Sequence, residues 1–329
     1  MDTIYVEKAI REHPRAAAIF RRFPKATVIE CDRYGEVFNP RAQNFRLQKQ
    51  RPALILAEKK GKTVLPTPPD YSIGRSGNHY FSHMLNCLYD CRYCFLQGMY
   101  QSANYVLFVN WEDFETQIDE LRGTTSDELC LFSGYDCDSL AMESITGFVE
   151  HFLPFFSERP DTWLELRTKS LNTRLLEQAE PAPNIVTAFT LTPDPIAREI
   201  EHGAPPYAQR LKRVKSLTEQ GWMIGLRLDP LIPWPGFTGI YTAMIDEVFA
   251  TIDPGKIHSV TLGPMRFPKA MHDRIVKLYP EDRLFALREM TLQEGQMTYP
   301  ESIETELVET VYDSLKRHLP ENRLFRQTG

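Results

Sequence analysis

The fold class this sequence predicts is α/β: an open, partial (β/α)6 barrel preceded by an N-terminal extension. Three observations carry that expectation. Six short strand-like runs recur after residue 78, each followed by a stretch with helical spacing. Strands that alternate with helices need right-handed crossovers and so build a parallel sheet, and six units are fewer than the eight that close a full barrel. The length of 329 residues suits one such unit with additions at its ends.

In chain order, the basic extension spans 1–78. It holds helical spacing over 7–22, a strand-like TVIE, the basic segment RAQNFRLQKQR, an apolar run at 53–57 and the loop VLPTPPDYSIG, whose closely spaced prolines exclude helix. The barrel spans 79–299. Its strand-like runs are HYFSHML (79–85), ELCLFS (128–133), TWLELR (162–167), NIVTAFTL (184–191), WMIGLRL (222–228) and HSVTLG (258–263). The remainder, 300–329, predicts one helix over 302–318 packed on the outside of the barrel.

Composition excludes several classes. Apolar residues make up 42% and charged residues 25%, the balance of a globular chain and not of a disordered or collagenous one. No run approaches the roughly 18 apolar residues of a membrane span, and MDTIYVEKAIREHPR carries charges where a signal peptide would be apolar. A cytoplasmic protein without a membrane partner is expected. Six cysteines are too few for a disulfide scaffold. The net charge is -6, yet residues 1–62 hold 14 Lys/Arg against 7 Asp/Glu, so a basic front precedes an acidic body.

In parallel α/β folds the reactive groups lie at the carboxyl ends of the strands. After the first run comes NCLYDCRYCFLQGMY, which sets Cys87, Cys91 and Cys94 in the spacing C-x3-C-x2-C. Three thiolates cannot all pair as disulfides, and a zinc site would need a fourth ligand from elsewhere, such as His79, His83 or Cys31. Thiolates are also the usual ligands of iron–sulfur clusters, and a four-iron cubane with three cysteine ligands leaves one iron open.

This triplet, directly after the first strand of a six-unit α/β chain, resembles the radical S-adenosylmethionine (SAM) superfamily. The resemblance implies a partial barrel of the radical SAM type. It also implies a 4Fe-4S cluster on Cys87, Cys91 and Cys94 whose open iron chelates SAM, and cleavage of SAM to a 5′-deoxyadenosyl radical by one electron. A flavodoxin- or ferredoxin-like donor would supply that electron.

Further pocket residues follow from the same resemblance. Tyr93 fills the position of an aromatic near the adenine. Ser133, Gly134 and Asp136 lie after the second strand, where groups accept hydrogen bonds from the SAM ammonium. Lys169, or else Arg167, would pair with the SAM carboxylate at the end of the third strand. Thr190 and Thr192 can reach the ribose or methionyl groups from the fourth strand, and Arg227 is a candidate on the fifth, where it could equally form a structural pair with Asp229.

Beyond the triplet, the chain resembles the spore photoproduct lyase family through IYVEKAI, IFRRF, CRYCFLQ, LFVN, RTK, EHGAPPYAQRLKRVKSLTEQGW and MRFPKAM, in that order. That resemblance implies reversal of a thymine dimer in DNA. The adenosyl radical takes hydrogen from the methylene bridge, the bridge breaks, a cysteine after the second strand returns hydrogen, and two tyrosines relay the radical. Tyr93 matches the first tyrosine, but Phe95 replaces the second. Tyr135 stands on the donor-cysteine position, and Cys137 follows two residues later. The basic stretch 41–62 is a candidate for phosphate contacts. RNA, a peptide or a small molecule as substrate, and a zinc-binding structural protein, are the competing readings.

Overall fold

The computed structural model describes residues 1–327 apart from 42, 70, 126, 127 and 288. The six expected barrel strands are Gly77–Phe81, Leu129–Phe132, Thr162–Thr168, Ile185–Thr190, Met223–Leu231 and Ile257–Pro264. They lie side by side in chain order and parallel throughout, with Leu164 opposite Ile185 and Val186 opposite Met223. Every residue of the second and fourth strands is buried, because helices cover the sheet's outer face while its inner face lines the core. The sheet stays open. Val64–Pro66 runs antiparallel along one edge, and Leu324–Arg326 runs parallel along the other.

The front of the chain differs from an irregular extension. Thr3–Glu7, Thr27–Cys31, Leu54–Ala57 and Tyr105–Phe108 form a second parallel sheet, with Met84–Leu85 added antiparallel. The helix expected over 7–22 is shorter, Pro14–Arg22. A proline suits its first turn, and His13 caps it by accepting the Arg15 N–H at 3.2 Å. Residues 3–7 are instead a strand, and the buried Glu7 carboxylate at its end accepts the backbone N–H of Tyr34 at 2.7 Å and Arg33 Nη1 at 2.9 Å.

At the C-terminus, Glu301–Lys316 is the expected outer helix. It packs on the helix Phe237–Thr251 and on the sixth barrel strand, burying Leu307, Val311 and Leu315 at four-residue intervals. Met84–Leu85 and Tyr105–Phe108 bracket the cysteine segment, so that segment bridges the barrel and the front sheet.

Candidate active site at the cysteine loop

The cysteine loop is fastened on three sides. Asn86 adopts a left-handed backbone (φ 69°), and its amide donates to the carbonyls of Ser102 at 2.8 Å and Asn104 at 2.7 Å, which closes the loop's base. Asp90–Cys91 pairs antiparallel with Glu201–His202. The short helix Leu96–Met99 lies so close to the helix Lys269–Leu278 that a Cβ on Gly98 would sit 2.6 Å from the Met271 carbonyl oxygen. Two family-like motifs, EHGAPPYAQR and MRFPKAM, thus act as the walls that hold the loop.

Cys87, Cys91 and Cys94 all open onto one cavity of about 170 Å³ at the carboxyl ends of the barrel strands. Burial raises all three thiols, Cys87 to about 12, with further upward pressure from Asp138 on Cys87 and from Glu201 on Cys91. Among the described residues no three His, Cys, Asp or Glu side chains converge on a point that one ion could occupy. Separated thiols around one cavity suit a cluster, in which each thiolate takes a different iron. The zinc candidates do not join them. His79 contacts the carbonyl of Gly77, Cys31 is buried in the front sheet, and His83 stacks on Phe148 at 3.8 Å, where burial holds it neutral with its ordinary value lowered to about 3.

Tyr93, Gly134, Tyr135, Cys137, Lys169 and Thr190 line the same cavity. Lys169 Nζ lies 5.2 Å over the Tyr93 ring, and among the described residues no hydrogen bond or ion pair engages it. Despite burial, the neighbouring Cys91 and Glu201 raise its ordinary value, so it stays a cation. Its backbone is set by Asp138, which accepts the Lys169 N–H at 2.7 Å and the Thr168 hydroxyl at 2.7 Å. Gly134 is required by space: a Cβ there would lie 2.8 Å from Arg167 Cβ.

Four expected pocket residues stand behind the lining. Ser133 Oγ meets Ser139 Oγ at 2.8 Å and donates to the Glu165 carbonyl. Asp136 is held by Ser82 and by Tyr100 at 3.2 Å. Thr192 donates to Glu201 at 2.8 Å. Arg227 is fully buried on Glu165, donating from Nη2 at 2.6 Å and Nε at 3.1 Å, and does not pair with Asp229, which belongs instead to Arg167 at 3.3 Å. Arg227 and Asp229, two apart on one strand, share a face, yet Glu165 takes Arg227 from across the sheet and Arg167 takes Asp229.

Glu201 and Arg210, the first and last residues of the family-like motif EHGAPPYAQR, were not singled out as site residues. Both are buried, and their ion pair carries the cavity wall: Glu201 accepts from Tyr93 and Thr192 as well as Arg210, whose other nitrogen donates to the Thr190 carbonyl at 2.8 Å. Burial alone would raise the Glu201 carboxyl, but Arg210 and Lys169 hold it below its ordinary value.

The two residues that replace the lyase pattern sit together. Tyr135 stacks on Tyr80 at 4.3 Å and lies 5.9 Å from Phe95, and both Tyr135 and Phe95 line the cavity. Cys137 borders the cavity from deeper in, its sulfur 3.9 Å from His83 Nδ1 and 3.8 Å from the Ser133 carbonyl. Most cations of the stretch 41–62 are committed within the chain: Arg46 to Glu281, Lys49 to backbone carbonyls, Arg51 to Asp2, Lys60 to Glu58, and Lys59 over the Phe108 ring. These contacts fasten the stretch within the chain, while the side chains of Arg46, Arg51 and Lys60 stay exposed.

A family model described as spore photoproduct lyase matches residues 74–327. The chain belongs to the spore photoproduct lyase family. Solved structures of that lyase share its fold over 99% of this chain and 98% of theirs, at 18% identity. They include a cysteine-to-serine mutant with TM-score 0.83, a double mutant with bound AdoMet and dinucleoside spore photoproduct at 0.84, and a complex with the dinucleoside photoproduct at 0.81. No match was found among curated proteins. The partial barrel is the fold expected. No helix among the described residues is long and apolar enough to cross a membrane.

Proposed function

We propose that this chain is a radical SAM enzyme that repairs a thymine-type photoproduct in DNA, with Cys87, Cys91 and Cys94 holding a 4Fe-4S cluster and the adjoining cavity holding SAM. The observation that carries this reading is one cavity shared by three thiols and an ammonium, Lys169, that forms no hydrogen bond or ion pair among the described residues. When bound, the cluster and SAM supply a 5′-deoxyadenosyl radical. The residues around them bind and position. Lys169 pairs with the SAM carboxylate, Thr190 offers a hydroxyl on the same wall, and Tyr93, held by Glu201, offers an aromatic face.

Tyr135 and Cys137 both border the cavity, and each carries a hydrogen, on oxygen or sulfur, that it can return to a substrate radical. The chain works in the cytoplasm with a flavodoxin- or ferredoxin-like one-electron donor. The neighbours that bind a dinucleoside photoproduct support DNA over RNA, a peptide or a small molecule as the substrate.

The test is anaerobic reconstitution with iron and sulfide, reduction with dithionite in the presence of SAM, and assay of 5′-deoxyadenosine with and without ultraviolet-irradiated DNA. The wild type should release 5′-deoxyadenosine and consume the photoproduct, and Cys91→Ala should do neither. Release without any effect of DNA moves the substrate elsewhere, and no release from a loaded cluster sinks the proposal. In the same assay, Tyr135→Phe and Cys137→Ala report which side chain returns hydrogen, because only the donor's loss misdirects the product.

A further inference from the structure

The short helix Phe45–Gln50 of the front sheet's connection lies across the back of the cysteine loop. Asn44 starts it by accepting the Leu47 N–H at 3.0 Å, and three of its long side chains reach outward to fixed points. Arg46 donates to the Leu278 carbonyl at 3.2 Å, Gln48 accepts the Ala103 N–H at 2.9 Å, and Lys49 Nζ donates to the carbonyls of Cys87 and Tyr89, each at 2.9 Å.

Lys49 differs from the other two in what it touches. Its ammonium is bonded to the backbone of one cysteine and of the residue two positions on, inside the loop that carries all three thiols. Among the described residues no carboxylate forms an ion pair with it, so its charge is not cancelled locally. It approaches from a groove it shares with Leu88 and Arg51 and does not line the central cavity, so it cannot touch SAM or a substrate held there. It also lies upstream of residue 74, where the family pattern begins.

We propose that Lys49 is a positioning residue for the iron–sulfur cluster, whose fixed positive charge behind the loop raises the cluster's reduction potential. This rests on the reading of Cys87, Cys91 and Cys94 as cluster ligands. Cluster potentials follow the charge and hydrogen bonding around the sulfurs, and adding an electron beside a cation is favoured. A neutral donor of similar reach could hold the two carbonyls equally well, so charge and geometry are separable.

The experiment compares the wild-type chain with Lys49→Arg and Lys49→Gln after anaerobic reconstitution. Iron and sulfide per chain are measured, then the midpoint potential by a redox titration followed by electron paramagnetic resonance. Lys49→Arg should keep the wild-type potential, and Lys49→Gln should shift it to more negative values at equal cluster content. An unchanged potential in Lys49→Gln, or equal shifts in both variants, overturns the proposal. Should Lys49→Gln lose the cluster, full occupancy in Lys49→Arg supports the charge and loss in both overturns it. A wild-type chain that takes up no iron and sulfide refutes instead the reading of the cysteine loop.

Discussion

Two buried glutamate–arginine pairs sit a few strands apart and do different things. Glu165 and Arg227, on the third and fifth barrel strands, are both fully enclosed, and the arginine spends its remaining donors on Ser259 and on the Leu226 carbonyl. Glu201 and Arg210 are equally enclosed, but where Glu165 gives its remaining acceptor capacity to Arg167 at 3.3 Å, Glu201 gives its own to Tyr93 and Thr192, beside the three thiols. Burial and pairing alone therefore do not mark a site. What distinguishes the second pair is where its spare hydrogen bonds go.

The largest expected effect comes from removing each arginine. Arg227→Met and Arg210→Met each leave a buried carboxylate short of its partner, at a cost of about 3–5 kcal/mol in unfolding free energy, read from urea midpoints. Only Arg210→Met should also weaken SAM binding to the reconstituted protein, because only Glu201 supports Tyr93. Equal loss of SAM affinity in both variants would break the comparison.

Acid sharpens it next. Burial tends to raise both carboxyls, but Arg227 and Arg167 hold Glu165, and Arg210 and Lys169 hold Glu201, below the ordinary glutamate value of 4.5. A lowered folded value contributes stability that is fully present above 4.5 and is lost as pH falls below it through the folded value. Tryptophan fluorescence during acid unfolding should show a shallower loss below pH 4.5 for Glu201→Gln than for wild type. An identical slope would mean that Glu201 is not ionised in the folded chain. The smallest effect is that of Thr192→Val, which removes one neutral donor from Glu201 and should cost about 1 kcal/mol by the same urea measurement.

These differences bear on what the sequence made legible. The barrel strands were readable because runs such as LCLF and IVTAFT are buried on both faces and so stay apolar throughout. The cysteines were readable from their spacing, Tyr93 from its place beside the third of them, and Lys169 and Thr190 because each sits at or just past a strand's end. The front sheet was not. TVIE read as strand-like and 53–57 as an apolar run, but Thr27–Cys31 is exposed along most of its length and Leu54–Ala57 is only four residues long, so nothing in either run shows that they join one sheet. Glu201 and Arg210 were missed for another reason. Their partners Tyr93 and Thr190 lie far off or on another element, and a nonlocal ion pair leaves no spacing to recognise. Arg227 was drawn toward Asp229 because residues two apart on a strand share a face, but Glu165 on the third strand shares that face too and takes two of its donors.

The bracketing of the cysteine loop by Met84–Leu85 and Tyr105–Phe108 has a practical bearing on where this chain can be cut. A fragment starting at residue 74 would contain the whole region that matches the family, yet it would strip three of five strands from the sheet in which the loop is anchored. Tyr105–Phe108, buried at all four positions, would be left with a bare apolar edge, the kind of edge that recruits other chains. Such a fragment should aggregate before it could take up iron. The point at which the family becomes recognisable is thus not a point at which the polypeptide can be divided.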